Sequence, residues 1–501
     1  MSRQELRRRA SAGVVLVGSR GVAILLLGFA GQVVLARLLT PADFGAVAVG
    51  LAFVMFVNLF SDGGLGAGLI RRAEPPDRRE LQALSALQVS VAAGLALAVA
   101  AAAPLFGRTG WVTAVVVAAA PLLALQIPGR IVLERALEYR RLAVVEVVQV
   151  VVLNAWALCW VIAGAGVWGL ATATPARAAV GVVAMAWATP AGRAWPRFSW
   201  RRIRHLLGFG VRFQAVTAVW LLREQGLNTA VAAVAGVSTL GLVSAARRVL
   251  EVPQLLLQSL RRVSYPAMSQ LVARRETAAP LLERAVALSA VGGGLVLTAL
   301  AGAAPGLVPG LFGEQWRPAA VLLPPACLGL AVGGAVSVAC EGYLYAVGDA
   351  AAVLRSGLLQ AAVLFGTALP LLPVLGVRAV GLAWLLAYLV EAVTLGRAVR
   401  RHCGARVGRS LAVPTAAALA GGTAGLLVTA ALGADLVAGL AGGATAGTVF
   451  LLVLLIVRRP LLLDCARFGR TAVRAAAGRG AEVAGHGAEA AGRRAETAGH
   501  G

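Results

Sequence analysis

Arginines set inside apolar helices are the residues of this chain best placed to do chemistry. The stretch from Gly208 to Arg262 reads as two membrane-spanning helices with charge along their middles. On the first, Arg212 and Arg223 lie eleven residues apart, which at about 100° per residue returns them to within about 20° of one face, about 16 Å apart along the axis. On the second, Ser244, Arg247, Glu251, Gln254 and Gln258 recur at helical spacing, with Arg248 beside them and Pro253 expected to bend the helix. An arginine near a bilayer centre costs at least about 2.5–3.5 kcal/mol, so such residues face a bundle interior or a watery cavity. The chemistry implied is a cationic cavity whose guanidinium groups offer bidentate hydrogen bonds and keep their charge when desolvated. The alternative is internal pairing that only locks helices together, Arg247 with Glu251 and Arg223 with Glu224 or a neighbour.

The rest of the chain must hold that hairpin in a membrane. Its 501 residues are 59% hydrophobic with a mean hydropathy of +0.82, and its apolar runs repeatedly exceed the roughly 18 residues that span a bilayer. This predicts an all-α polytopic membrane protein with about fourteen spans, near 13–35, 44–62, 84–106, 110–130, 143–163, 166–188, 207–232, 239–260, 281–303, 318–342, 353–373, 377–398, 410–432 and 435–457. The formal charge of +24 comes from short basic loops and forms no soluble basic face, so no nucleic-acid partner is expected. No lysine is present, and the arginine excess accompanies abundant alanine and glycine, the mark of a composition bias.

Arginines gather in alternate loops: Arg71, Arg72, Arg78 and Arg79; Arg135, Arg140 and Arg141; Arg193, Arg197, Arg201, Arg202 and Arg204; Arg261, Arg262, Arg274 and Arg275; Arg397, Arg400, Arg401, Arg406 and Arg409. The opposite loops carry only scattered charges such as Arg37, Arg108, Arg317 and Arg378. Both termini are therefore expected in the cytoplasm. The longest external connection is expected at 304–317, too short for a catalytic domain, so the chain is not expected to be an enzyme. Cys159, Cys327, Cys340, Cys403 and Cys465 show no ligand spacing and read as small core residues. Asp43-Phe44-Gly45 spells a kinase signature without its companion motifs, and Gly63, Gly64, Gly66 and Gly68 miss phosphate-loop spacing. No metal or cofactor is expected.

An internal repeat organises the spans. Phe44-Gly45-Ala46-Val47 matches Leu240-Gly241-Leu242-Val243, and 240 minus 44 gives an offset of 196 residues that six helices fill. The offset superposes Gln32 on Asn228, Asn58 on Gln254 and Asp62 on Gln258, all polar positions in apolar helices. It also places Arg20 on the stripe equivalent to that of Arg212 and Arg223; snorkelling to the interface is the alternative for Arg20. Two pseudo-symmetric six-helix lobes, 1–205 and 206–405, are expected around a central cavity. Two further helices (406–457) carry Gly421/Gly425 and Gly439/Gly443/Gly447 at close-packing spacing, and a polar low-complexity tail follows at 458–501.

Arg37-Leu38-Leu39-Thr40-Pro41-Ala42-Asp43-Phe44-Gly45 and Leu59-Phe60-Ser61-Asp62-Gly63-Gly64-Leu65-Gly66-Ala67-Gly68-Leu69-Ile70 resemble the opening of bacterial polysaccharide-export flippases. These belong to the multidrug/oligosaccharidyl-lipid/polysaccharide exporter superfamily. Leu240-Gly241-Leu242-Val243-Ser244-Ala245-Ala246-Arg247 and Val263-Ser264-Tyr265-Pro266-Ala267-Met268-Ser269 are similar to the start of that family's second half. The resemblance covers roughly 10–400 and implies translocation of a polyprenyl-diphosphate-linked oligosaccharide across the cytoplasmic membrane for cell-surface polysaccharide, with the bilayer, a polymerase and glycosyltransferases as partners. In that reading Arg20, Arg212, Arg223, Arg247 and Arg248 take the diphosphate, and Gln32, Asn58, Asn228, Gln254 and Gln258 line the cavity. Asp62, Glu146 and Glu251, with Glu341 and Glu391, are candidates for a coupling proton or sodium ion, and equally for structural partners. A multidrug or cation antiporter of the same fold would place acidic residues in the cavity instead. A non-transporting scaffold of polysaccharide assembly would need no charge there.

Overall fold

The computed structural model describes residues 27–62, 65, 69, 76–273, 277–433, 435–465 and 467. Arg20, the glycines 63, 64, 66 and 68, and nearly all of the tail expected at 458–501 lie outside them. The described residues are helical almost throughout, as expected of backbone that must satisfy its own hydrogen bonds in lipid. In chain order the helices are α1 (Leu27–Leu38), α2 (Pro41–Asp62), α3 (Arg78–Ala102), α4 (Gly107–Val117), α5 (Ala119–Arg135), α6 (Tyr139–Trp160) and α7 (Val167–Ala188). A continuous run Trp200–Ala273 is broken only at Gly236, whose φ of 84° and ψ of 164° make the turn between α8 (200–235) and α9 (237–273). Only glycine takes that backbone conformation without a Cβ penalty. There follow α10 (Ala278–Phe312), α11 (Leu323–Ala346), α12 (Ala350–Leu375), α13 (Val377–Cys403), α14 (Val407–Ala431) and α15 (Leu436–Cys465).

Eleven described segments are long and apolar enough to cross a membrane, against the fourteen spans expected. Two of the eleven, Arg78–Arg135 and Leu221–Gln258, each contain a glycine of positive φ between two expected spans. The first expected span is represented by the shorter α1. The expected external loop 304–317 is corrected: α10 continues through Pro305 and Pro309 to Phe312, and only 313–322 turns. Helix α9 runs through Pro253 with no non-helical residue there. Cys327 and Cys340 are buried, whereas Cys159 is exposed beside Trp156 and Trp160 on the outward face of α6.

Contacts divide the chain into two compact units. The first comprises Met1–Val252, Pro305–Leu323 and Ala361–Trp384. Its core joins α2 to α7 through Val54, Val57, Ala92, Val116, Ala120, Ala157 and Ala171. The second comprises Pro253–Ala304, Pro324–Gln360 and Leu385–Gly501. There Leu282, Val286, Cys340, Leu344, Leu395 and Val399 pack α10, α11 and α13 together, and Val291, Ala417, Phe450 and Leu454 seat α14 and α15 on α10. Small residues set that last packing. A Cβ on Gly425 would lie 2.5 Å from the Gly442 carbonyl oxygen, and one on Gly421 2.5 Å from that of Ala446. Gly442 thus makes the close approach within the glycine-rich stretch of α15, and Gly447 makes only ordinary contacts.

Candidate functional site

The repeated motif marks a contact inside the first unit. Helices α2 and α9 begin by touching backbone to backbone. A Cβ on Gly45 would lie 1.7 Å from the Val237 carbonyl oxygen, and one on Gly241 1.9 Å from that of Pro41. Around it, α1 and the end of α10 cap one another. Trp316 Nε1 donates to Ala36 O at 2.8 Å, Gln315 Nε2 donates to Ala36 O and Leu39 O, and Arg37 donates to the carbonyls of Gly310 and Leu311. Asp43, the acid of the kinase-like triplet, accepts from the Thr40 backbone and hydroxyl and pairs with Arg108 at 3.0 Å. It is a helix-end cap.

From that contact both helices present one stripe to a cavity of about 350 Å³. Phe44, Val47, Ala48, Leu51 and Met55 come from α2, and Ser244, Ala245, Arg247, Arg248 and Glu251 from α9. Phe312 and Trp316 close one part, with Phe44 and Trp316 edge to face at 5.1 Å. Gln32, Gln225 and Asn228 add amide groups, Asn228 Nδ2 donating to Gln225 Oε1 at 2.9 Å. The lining obeys the repeat: Gln32 and Asn228, Ala48 and Ser244, Leu51 and Arg247, and Met55 and Glu251 are equivalent pairs at the same offset. Charge is confined to the second copy in these pairs.

The arginines divide by partner. Arg247 pairs with Glu224 of α8 at 2.9 Å, not with Glu251 as the spacing alone had offered, and Glu224 also takes Arg223 at 3.2 Å. Glu251 lies 3.5 Å from Arg248. Arg177, from the middle of α7, also lines the cavity. Its Nε is shut off from solvent without a hydrogen-bond partner, it forms no ion pair among the described residues, and the Arg248 guanidinium is close enough to repel it. Among the described residues that line the cavity, Arg177, Arg247 and Arg248 thus stand with one carboxylate, Glu251, while Glu224 behind them takes Arg223 and Arg247.

Other expected positions lie elsewhere. Arg223 is held by Glu224 and is not part of the lining, and the side chain of Arg212 is outside the described residues. Asn58 is half-buried and away from the cavity. Asp62 accepts from Gln88 Nε2 at 3.0 Å, and Glu146 faces Arg130 at 3.8 Å. Gln254, Gln258, Glu341 and Glu391 belong to the second unit, where Glu341 pairs with Arg261 and buried Glu391 accepts from Gln360. Sequence reasoning passed over Arg177, although a lone arginine at the centre of the apolar run 166–188 is itself a functional signal.

Residues 34–321 match the family described as polysaccharide biosynthesis protein. The chain belongs to that family. No curated protein matches it in sequence. Among solved structures it is similar to the lipid II flippase MurJ in an inward closed conformation, at 12% identity over 90% of this chain and 100% of that one, with a TM-score of 0.67. It is also similar to an inward-facing multidrug resistance MATE family transporter of the MOP superfamily, at 15% identity over 78% of this chain and 94% of that one, with a TM-score of 0.52. At these identities the likeness establishes the fold. The family member is a multi-pass membrane protein built on the fold of flippases and transporters.

Proposed function

We propose that the chain is a flippase carrying a polyprenyl-diphosphate-linked oligosaccharide from the cytoplasmic to the outer leaflet of a bacterial cell membrane, for exopolysaccharide or another surface glycan. Arg177 is the observation that carries the reading. A charge placed in a membrane cavity without a carboxylate is unfavourable until a ligand supplies one. Among the described lining residues the guanidinium groups of Arg177, Arg247 and Arg248 outnumber the one carboxylate, that of Glu251, which suits the negative charge of a diphosphate diester. Arg177, Arg247 and Arg248 hold the phosphates, Arg223 steadies Glu224, and the amides of Gln32, Gln225 and Asn228 accept or donate to the first sugar. Arg20 and Arg212 extend the same cationic path. The lobes 1–205 and 206–405 then rock about this site while the lipid tail remains in the bilayer, both termini staying in the cytoplasm. The product is handed to a polymerase. Family membership and the lipid II flippase's fold support this reading. A cation antiporter would need carboxylates to dominate the cavity, and Glu251 is the one acid among its lining residues.

The test is binding of a polyprenyl-diphosphate sugar against its monophosphate and neutral analogues, joined to a vesicle assay that follows access of an outside reagent to a fluorescent substrate. Arg177→Ala should weaken diphosphate binding by about tenfold or more, the value of a charge-assisted hydrogen bond, and stop translocation at equal folded amounts. Arg177→Lys should recover only part, since an ammonium cannot reproduce bidentate contacts. Wild-type affinity and an intact diphosphate preference in Arg177→Ala would overturn the assignment.

A further inference from the structure

At the other end of the first unit's α6–α7 pair lies a second cationic feature that shares no residue with the cavity. Arg140 and Arg141 start α6, Trp187 and Ala188 end α7, and Arg193 ends the 3-10 turn Pro190–Arg193. Together with Val144 they surround an open groove of about 700 Å³. Two of its arginines are positioned by the last carbonyls of α7: Arg141 Nη1 donates to Ala188 O at 3.1 Å, and Arg193 Nε donates to Ala186 O at 2.9 Å. Arg141 also pairs with Glu138 at 3.0 Å. Arg140 has no partner among the described residues, and the terminal nitrogens of Arg193 are likewise unused.

We propose that this groove binds the headgroup phosphate of an anionic phospholipid. Both helices that form it cross the membrane, so their ends lie at the level of the headgroups. Trp187 and Trp195, 83% and 78% exposed, are the amphipathic side chains that settle at that level. The guanidinium groups of Arg140 and Arg193 match phosphate oxygens in geometry and charge. Val144 and Trp187 offer apolar surface to the acyl chain below. A zwitterionic headgroup brings its own ammonium, which three guanidinium groups repel. Basic pockets between helix ends on the arginine-rich side of a membrane protein hold anionic lipids by this combination.

Native mass spectrometry of the full chain in detergent tests the proposal, with phosphatidylglycerol, phosphatidylcholine of the same acyl chains, and inorganic phosphate as probes. Phosphatidylglycerol should be retained several-fold over phosphatidylcholine. Each arginine lost should lower that retention about fivefold, first in Arg140→Ala, which breaks no intramolecular contact, then in Arg140→Ala with Arg193→Gln. Circular dichroism should show unchanged helix content, and phosphatidylcholine retention should not move. Equal retention of the two lipids, or retention indifferent to Arg140→Ala and to the double substitution, would overturn the proposal. Displacement of the lipid by millimolar inorganic phosphate would overturn it as well, by showing a site for a free anion.

Discussion

Gly45 and Gly241 occupy equivalent places on the two sides of one helix contact, each receiving a carbonyl oxygen from the start of the other's helix. Gly45 meets Val237 and Gly241 meets Pro41, and Val237 is to Pro41 as Gly241 is to Gly45 in the internal repeat. The contact is therefore reciprocal, as a two-fold axis passing between α2 and α9 requires. Any side chain at either glycine forces the helices apart, because both neighbours are backbone.

That geometry makes Gly45→Ala and Gly241→Ala probes of closure. Each should separate the first turns of α2 and α9 and speed labelling of a Ser244→Cys thiol, applied from the side opposite the arginine-rich loops, by several-fold. Gly94→Ala is the control, since its Cβ meets nothing within 4 Å and alanine favours a helix by about 0.5–1 kcal/mol over glycine. Unchanged labelling in both glycine variants would show that this contact does not close the cavity.

Part of the cavity lining was legible in the sequence, because the repeat offset pairs positions that face the same space; the glycine contact was not, since the repeat marked its motif without saying what it touches. Gln32 with Asn228, and the polar stripe Ser244, Arg247 and Glu251, follow from helical periodicity and that offset alone. Arg177 was missed for the opposite reason. It stands in no stripe, and the offset carries it onto Pro373. The pairing of Arg247 was misread because periodicity reports only neighbours on one helix, whereas its partner Glu224 lies across the Gly236 turn on α8. The external stretch 304–317 was misread because Pro305 and Pro309 signal a loop, yet α10 accommodates both within its last turns.

Glu224 should prove the structural carboxylate of the site. It holds Arg223 and Arg247 at once and all three are about one-quarter exposed, so Glu224→Gln takes from the partly buried Arg247 guanidinium the carboxylate it pairs with. The expected loss is about 1–3 kcal/mol of stability, below the value for a fully buried pair. Joint replacement by Glu224→Gln and Arg247→Gln should recover part of it. Thermal unfolding in detergent measures both, and a neutral single substitution would show that solvent already screens the pair.

A hydrogen-bonded tie in the other unit should impose a pH dependence. His402 and the Ala352 backbone N–H hold the Asp349 carboxyl below its ordinary range at the turn before α12. A depressed folded-state value means the tie stabilises fully above the unfolded carboxyl's pKa of about 4 and is lost as pH falls through the folded value. Asp349→Asn should therefore lower Tm at neutral pH, with the difference from wild type shrinking on acidification below about pH 4. A difference that grows on acidification would contradict the assignment.

Glu251 separates charge balance from energy coupling. Its carboxylate lines the cavity and lies 3.5 Å from Arg248, a longer separation than that of Glu224 from Arg247. A weakly held carboxylate beside the proposed phosphate site is poised to exchange its cation, because incoming phosphate competes for Arg248 and leaves Glu251 free to take a proton or sodium ion. Glu251→Gln should then abolish stimulation of transport by a transmembrane proton or sodium gradient while preserving diphosphate binding, or strengthening it by removing a negative charge. The measurement compares flipping in vesicles with and without each gradient, alongside equilibrium binding. If stimulation persists in Glu251→Gln, the carboxylate only neutralises Arg248. The joint variant Arg248→Gln with Glu251→Gln should in that case be more stable than Glu251→Gln alone, since no orphaned charge is left, while losing diphosphate affinity with Arg248.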